Sequence, residues 1–447
     1  MAGRIAGLVS EKGGHTYYVG GYVRDELLHI ENKDIDIEVH GITVEELEAI
    51  LDSVGVRTEM GASFGVYGLR GFGLDIAMPR KEEAIGRGHK DFKVDVDPFI
   101  GTYKAAIRRD FTINALMQDV LTGEIVDHFG GVKDLENGIL RHVNSDTFVE
   151  DPLRVLRAAQ FSARFAFRIA EETIELCRCM ELDALAQERI MGELEKALLK
   201  AQKPSIFFEE MRTMQQLSFW FPEVEATIGV MQNPLHHPEG DVWTHTMLVL
   251  DRAAELRDRA NDPLGFMLTA LMHDLGKPAV TTVDEEGRIC QFGHENRTDL
   301  VNIALSRITN AVKQIRYVLN MTKLHMRANL MAEERASQIV MNRIFDEALD
   351  PEDLALFVEA DHMGRKDPPP YDAKKAFLQE SLAVYKEMIA RPCVMGKDLI
   401  EAGLKPGEEF SELLAFAHRL HLSGVPKEKA LQQTLAEYGK FNKRDKA

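Results

Sequence analysis

Cysteine is scarce in this chain, and its placement excludes two classes at once. Among 447 residues only Cys177, Cys179, Cys290 and Cys393 occur, with neither zinc-ligand spacing nor the density of a disulfide framework. Such usage fits a reducing, cytoplasmic setting. Long apolar runs are lacking as well. No stretch of about 18 apolar residues occurs, and Met1 to Ala6 starts no apolar core of signal-peptide length, so membrane insertion is not expected. Net positive charge is also missing. A formal charge of −18 argues against a generally basic nucleic-acid surface and leaves any such contact to local patches. Two stretches qualify: residues 150–168, with Arg154, Arg157, Arg164 and Arg168, and the tail, with Lys427, Lys429, Lys440, Lys443, Arg444 and Lys446. Neither internal repeats nor low-complexity tracts are evident.

What is present is a series of short polar motifs set in apolar strand and helix patterns. The first is Val19-Gly20-Gly21-Tyr22-Val23-Arg24-Asp25, and thirteen positions after Gly21 comes Asp34-Ile35-Asp36. Carboxylates two apart on a strand face the same way, so Asp34 and Asp36 can hold the same metal ions. Hard cations such as Mg²⁺ favour carboxylate oxygens together with substrate phosphates. Gly20 and Gly21 let backbone amides approach a triphosphate, with Arg24 as a charged fork beside them. Taken singly, a glycine pair after a strand is a turn, and two spaced aspartates are a solvated strand face. Their order and spacing together make the combination specific.

The second motif is Arg108-Arg109-Asp110-Phe111-Thr112-Ile113-Asn114-Ala115. Arg109 can neutralise phosphate, and Asp110 and Asn114, four apart on a helix, can share a face toward a ribose. The third follows Glu150. Asp151, Arg154 and Arg157 recur at helical spacing along a helix that begins near Pro152. A carboxylate beside a guanidinium presents acceptor and donors in one plane. It would accept the amino group and ring nitrogen of cytosine or adenine and repel uracil and guanine. Asp151 could instead cap the helix ahead of Pro152.

With these motifs in place, the chain resembles the bacterial CCA-adding enzymes, the class II tRNA nucleotidyltransferases, whose polymerase-β-like head is shared with bacterial poly(A) polymerases. The resemblance also takes in Gly130-Gly131-Val132-Lys133-Asp134-Leu135 and Glu150-Asp151-Pro152-Leu153-Arg154. It implies a tRNA nucleotidyltransferase that adds or repairs the 3′ CCA end from CTP and ATP without a nucleic-acid template. Asp34 and Asp36 would hold Mg²⁺; Gly21, Arg24, Arg109 and Arg157 would hold the triphosphate, near Asp110 and Asn114; Asp151 and Arg154 would read the base. Heads of this type carry a third carboxylate, for which Asp75 in Leu74-Asp75-Ile76-Ala77 is the candidate, since a charge in an apolar strand is paired or metal-bound. One departure is Gln160, where relatives often carry a third arginine. The polar stretch around Gly86-Arg87-Gly88-His89-Lys90 reads as a mobile loop over the site. In the family, a loop here helps switch the pocket from cytidine to adenosine addition.

Length and patterning divide the chain. At 447 residues about three domains are expected. Alternating strands and helices imply an α/β (α+β) nucleotidyltransferase head over 1–145, followed by largely all-α regions: a neck over 146–205 carrying base selection, a body over 206–390 and a tail over 391–447. Segments 396–400 and 403–407 of the tail resemble the family's tRNA-grasping end, which would recognise shape and phosphates. The breaker-rich loop 232–240 opens a second constellation: His245, the pair His273-Asp274 before Gly276-Lys277-Pro278, then His294, His325 and Asp361. Imidazoles and carboxylates suit Ni²⁺, Mn²⁺, Co²⁺ or Zn²⁺. The pattern resembles the HD phosphohydrolases, which implies a core over about 240–365 with His245, His273, Asp274 and Asp361 as ligands and a phosphatase or 2′,3′-cyclic phosphodiesterase activity. His294 and His325 carry no fixed role. An A-adding enzyme or a poly(A) polymerase shares the head, although poly(A) polymerases usually have a more basic tail and lack this His-Asp set. A phosphohydrolase with a decayed, RNA-binding head is disfavoured by the intact Asp34, Asp36 and Asp110. Neither a membrane nor an obligate protein partner is indicated.

Overall fold

The computed structural model describes residues 1–32, 34–61, 65–84, 92–407 and 409–444; the expected loop around 86–90 and Lys446 fall outside them. The chain divides into two compact units, Met1–Trp220 and Phe221–Ala447.

The first unit is built on a mixed sheet. Its elements run α1 (Ala2–Glu11), β1 (His15–Val19), α2 (Gly21–Leu27), β2 (Ile35–His40), α3 (Val44–Val54), β3 (Arg57–Gly61), β4 (Val66–Leu69), β5 (Leu74–Ala77), β6 (Arg80–Ala84), β7 (Phe92–Val96), α4 (Thr102–Ala106), β8 (Met117–Asp119), β9 (Ile125–Val126) and α5 (Gly131–Glu136). Seven strands pair in the order β3-β4-β5-β2-β1-β8-β9, with β6 and β7 as a separate hairpin. Strands β2 and β5 are parallel, with Asp36 opposite Asp75. That one register sets two acidic side chains next to each other. Alternation explains the layering. Ile37, Val39 and Ile76 are fully buried against Ile5 and Val9 of α1 and Leu47 and Leu51 of α3, so the intervening residues are left for the polar face. Helix α3 is fixed at its start by a capping box between Thr43 and Glu46.

Helices follow from α6 (Ser145–Phe148) through α7 (Leu153–Phe165), α8 (Glu171–Arg178), α9 (Gln187–Lys200), α10 (Ser205–Thr213) and α11 (Leu217–Trp220). Helix α7 buries Val155, Leu156, Ala158 and Ala159 and packs against α9 and α10. Ser162 Oγ on α7 donates to Glu210 of α10 at 3.0 Å, which places α10 in the first unit.

The second unit is helical: α12 (Pro222–Glu225), α13 (Val242–Leu256), α14 (Pro263–Met272), α15 (Lys277–Val280), α16 (Thr298–Ile308), α17 (Val312–Glu333), α18 (Gln338–Glu347), α19 (Pro351–Met363), α20 (Asp372–Ile389), α21 (Gly396–Glu401), α22 (Glu409–Leu422) and α23 (Lys427–Arg444). Helix α14 is apolar all round and buried from Gly265 to Met272, among α13, α17 and α19. A smaller cluster of Val394, Leu399, Leu413, Ala417 and Ala430 holds the last three helices together. No helix of the described residues is long and apolar enough to cross a membrane. A mixed α/β head followed by a largely helical body is the expected class.

Gly131 shows how tightly the head is closed. A Cβ there would lie 2.3 Å from the Thr112 carbonyl oxygen, whereas Gly192 within α9 has nothing within 4 Å. Gly131→Ala is expected to destabilise the protein by about 1–3 kcal/mol through overpacking, and Gly192→Ala to stabilise it by about 0.5–1 kcal/mol. Urea unfolding of both variants measures the contrast, and equal effects would contradict it.

Candidate functional site

The acidic residues of the head gather at one end of β2. Asp36 lies on the strand, Asp34 directly before it, and Asp75 sits opposite Asp36 on β5. Burial, and then the charge of Asp75, raise the Asp36 carboxyl above its ordinary value; Arg109 pulls it down and Asp34 pushes it up again. These are four groups close enough to feel one another. Asp34 and Asp75 are exposed and Asp36 is half-buried, and carboxylate oxygens are the donor set that fits a hard divalent ion.

Arg109 is held beside this cluster by a residue that motif reading missed. Its guanidinium lies 3.3 Å from Glu38 Oε2, and Glu38 Oε1 in turn meets His40 Nε2 at 2.8 Å. Burial opposes ionisation of Glu38, yet His40 and Arg109 together hold its carboxyl below the usual range. The signal was there: Glu38 and His40 continue the period-two face begun by Asp34 and Asp36. Gly20 has φ +65°, and a Cβ there would meet Arg109 Nη1 at 3.4 Å. The glycine therefore leaves room for this arginine as well as starting α2.

Asp110 and Asn114 do meet, but not on an α-helix. Residues 107–110 turn and bend, Phe111 is extended, its bridge to His142 and the Thr112 amide bond to Arg141 O hold it to the chain, and only Thr112–Asn114 form a 3-10 turn. Asn114 Nδ2 donates to Asp110 Oδ1 at 2.9 Å, and Arg157 binds Asp110 Oδ2 through Nε at 2.7 Å and Nη2 at 2.6 Å. Burial works against the Asp110 charge, but Arg157 and Asn114 outweigh it and the carboxyl stays below its ordinary value. The Gly130 to Leu135 motif braces this turn, since Asp134 Oδ2 accepts from Thr112 Oγ1 at 2.8 Å.

Several site residues have other partners than expected. Arg24, placed by sequence at a triphosphate, is 4% exposed. It pairs with Asp25 at 2.6 Å, donates to Asn114 Oδ1 at 2.7 Å and stacks over Phe161 and Phe165. Gly21 opens α2 next to it. Asp151 and Arg154 are close enough to attract each other electrostatically, but each hydrogen-bonds elsewhere. Arg154 donates to the carbonyls of Thr147 at 2.7 Å and Arg108 at 2.6 Å. Asp151 Oδ1 accepts from the Leu153 amide at 3.1 Å, as a cap would, and Oδ2 takes Arg189 Nη2 of α9 at 2.9 Å. Arg189 was not foreseen, because no local pattern links it to Asp151. Gln160 is 1% exposed, so the expected third arginine is replaced by a core residue.

The second unit draws four histidines and two aspartates together from five segments. Asp241 caps α13 through the Thr244 amide at 3.0 Å and so sets His245 one turn in. His273 and Asp274 follow the end of α14, His294 opens a 3-10 turn, His325 lies on α17 and Asp361 on α19. His245 Nε2 is 3.2 Å from Asp361 Oδ1; His273 Nε2 and His294 Nε2 are each 3.2 Å from Asp274, at Oδ2 and Oδ1; His294 and His325 bring their Nε2 atoms within 3.4 Å. Two groups of potential ligands result, His245 with His273 and Asp361, and Asp274 with His294 and His325. Hence the two histidines without a fixed role join the same centre. His273 Nε2 and both Asp274 oxygens are buried without a well-formed hydrogen bond, although Lys277 Nζ lies 2.6 Å from Asp274 Oδ2. Burial, helped by His273 and His294, pushes His325 down to about 3, leaving a neutral imidazole. Orphaned buried donors of this kind fit divalent transition metals.

Residues 16–141 match the poly A polymerase head domain. Together with the sheet and its carboxylates, this defines a nucleotidyltransferase, a class that implies use of a divalent metal. The chain is 36% identical over 446 residues to the multifunctional CCA protein of Thioalkalivibrio sulfidiphilus, covering 95% of this chain and 99% of that one. It is 37% identical over 338 residues to that of Haemophilus ducreyi, covering 72% and 78%. The chain belongs to the multifunctional CCA protein family. In fold it is similar to an apo form of a CCA-adding enzyme (TM-score 0.68, 23% identity, 97% and 95% covered) and to the Thermotoga maritima CCA-adding enzyme complexed with tRNA (TM-score 0.64, 22% identity, 98% and 94% covered).

The packing of Arg24 yields a prediction. Arg24→Met strips the buried Asp25 of its closest partner and should destabilise the protein by about 3–5 kcal/mol in urea unfolding. An arginine acting only on a triphosphate would instead leave stability unchanged and raise KM for both nucleotides.

Proposed function

We propose that this protein adds or repairs the 3′-terminal CCA of tRNA from CTP and ATP, with tRNA recognised through its acceptor stem and 3′ end. The observation that carries this is the register of Asp36 against Asp75, with Asp34 and Arg109 at the same spot. Relatives named for CCA addition support it, and similar folds have been solved with ATP and with CTP. Mg²⁺ held by Asp34 and Asp36 would activate the attacking hydroxyl and neutralise the departing pyrophosphate. Arg109, fixed by Glu38, then faces the phosphates, and Arg157 connects that site to α7 through Asp110. Base reading by Asp151 and Arg154 requires a local exchange of partners. Arg154 must leave two carbonyls, and Asp151 must release Arg189, before either can meet a base edge. A cytoplasmic setting agrees with four free thiols.

A second activity is favoured by the orphaned atoms of His273 and Asp274. We propose that His245, His273, Asp274 and Asp361 form an HD-type phosphohydrolase centre acting on phosphate esters or 2′,3′-cyclic phosphates, with His294 and His325 completing it. Ni²⁺, Mn²⁺ or Co²⁺ bound there would supply a water acidic enough to attack phosphorus. Lys277 places a buried ammonium at the same carboxylate, where it can neutralise a substrate phosphate.

Asp34→Ala and Asp36→Ala should each abolish addition of both C and A to tRNA lacking CCA or lacking only A, read by sequencing the products; near-normal A addition in either variant would refute a shared cation site. Asp151→Ala should narrow the preference for CTP and ATP over UTP and GTP and lower stability by only ~1 kcal/mol. Unaltered discrimination with reduced stability would mean that Asp151 is a cap. His273→Ala combined with Asp274→Ala should eliminate metal-stimulated ester hydrolysis and keep CCA addition within several-fold. Absence of hydrolysis in the parent with Mn²⁺, Ni²⁺ or Co²⁺ supplied would make the centre structural.

A further inference from the structure

Three of the four imidazoles of the candidate hydrolase centre are oriented in the same way. His273 Nδ1 meets Ala270 O at 3.0 Å, His294 Nδ1 meets Gln291 O at 2.8 Å and His325 Nδ1 meets Thr322 O at 2.6 Å. In each case the acceptor is the carbonyl three residues earlier. A carbonyl only accepts, so Nδ1 must carry the hydrogen and Nε2 is left with a lone pair. His245 differs. Its Nδ1 lies at ion-pair distance, 2.8 Å, from Glu239 Oε1, a carboxylate six residues earlier in the loop before α13, although the two are not aligned as a well-formed hydrogen bond.

Glu239 is built into this place. Its side chain is 1% exposed, Oε1 is shared with His237 Nδ1 at 2.9 Å, and Oε2 takes the Lys366 amide at 3.3 Å. We infer that Glu239 is the positioning residue of the candidate hydrolase centre: it fixes His245 as the Nδ1–H tautomer, turns the Nε2 lone pair toward Asp361 and Asp274, and raises its donor strength. The inference rests on the metal-centre reading above. Without Glu239 the anionic neighbours at Nε2, Asp361 at 3.2 Å and Asp274 at 3.7 Å, would favour a hydrogen on Nε2 and so occupy the lone pair that a metal needs. A charged acceptor also makes the imidazole a stronger ligand than a carbonyl does. His237 holds the shared oxygen from its other side.

The atoms of His237, Glu239 and His245 are also close enough together to suggest a cation of their own. Such a cation would need the Nδ1 lone pair of His245 while Nε2 serves the central cluster. A neutral imidazole has one lone-pair nitrogen, so only an imidazolate could do both. Pairing of an Nδ1–H with the charged Glu239 carboxylate requires no such ionisation. Glu239 is also the one acceptor among the four that a side-chain substitution can remove, since the others are backbone.

The test uses the full-length protein titrated with Co²⁺, following the visible ligand-field spectrum, affinity and number of ions bound. Glu239→Ala should bind the same number of ions roughly 10–100-fold more weakly with an altered spectrum, while far-UV circular dichroism and the unfolding midpoint in EDTA stay close to the parent. Glu239→Gln should fall between, since an amide oxygen still accepts from Nδ1 but carries no charge. Unchanged affinity and spectrum in Glu239→Ala overturn the inference, as does loss of one ion with the rest bound normally, which would make Glu239 a ligand in its own right. If Glu239→Ala fails to fold, Glu239→Gln decides alone, and parent-like affinity there is the overturning result. A parent that binds no Co²⁺ overturns the metal-centre reading and this inference with it, a pattern distinct from failure of Glu239 alone.

Discussion

The buried carboxylate of Asp110 is the point on which the first unit depends. A charge taken out of water is tolerable only when every lone pair finds a donor. Here the Phe111 amide at 2.8 Å and Asn114 Nδ2 at 2.9 Å serve Oδ1, and Arg157 serves Oδ2 with two nitrogens. Asn114 is then free at its own oxygen to receive Arg24, whose guanidinium lies over Phe161 and Phe165 of the same helix that carries Arg157. One anion thereby ties α2, the 3-10 turn and α7 into a single rigid network. A half-satisfied version would be worse than an apolar contact, which explains why the arrangement is so completely partnered.

That network relates shape to function. The cations expected to meet nucleotide are, without it, already engaged: Arg154 by two carbonyls, Arg157 by Asp110, and Arg109 by Glu38. For Arg109 and Arg157 the positive charge is thus held in a fixed place rather than free in solvent, so less ordering entropy would be lost on binding nucleotide, whereas Arg154 must first leave its carbonyls. The basic stretch over 150–168 accordingly turns partly inward and is not a uniform RNA-facing patch.

The second unit meets the same physical constraint differently. Four imidazoles crowd two buried carboxylates, and a backbone carbonyl at the Nδ1 of three of them commits their Nε2 atoms to one centre. Burial opposes the charges of Asp274 and Asp361, but their histidine neighbours outweigh it and hold both carboxyls well below the ordinary range. Helix capping sets the depth: Asp241 and Asp262 start α13 and α14 so that His245 falls one turn inside and His273 falls just past the end.

Local pattern by itself determined a good deal. Period-two alternation located β2 and set Asp36 on it, patterning at 3.6-residue spacing announced the helical body, and the order of glycines, aspartates and arginines identified the family. These features are short-range, and covalent geometry repeats every two or 3.6 residues whatever the rest of the chain does. Partner choice was decided only by tertiary structure. Asp151 meets Arg189 across 38 residues, Arg24 meets Asn114 across 90 and His245 meets Asp361 across 116. Motif spacing suggested that Asp151 would face Arg154 and that Arg24 would face phosphate. A guanidinium instead goes to the best-placed acceptor in three dimensions, because burial makes an unpaired charge far more costly than any local preference can offset. Arg189 and Glu239 went unnoticed for that reason, since their roles exist only once distant segments have packed, whereas Glu38 lay in plain view on the face of Asp36 and only its partner Arg109 came from afar.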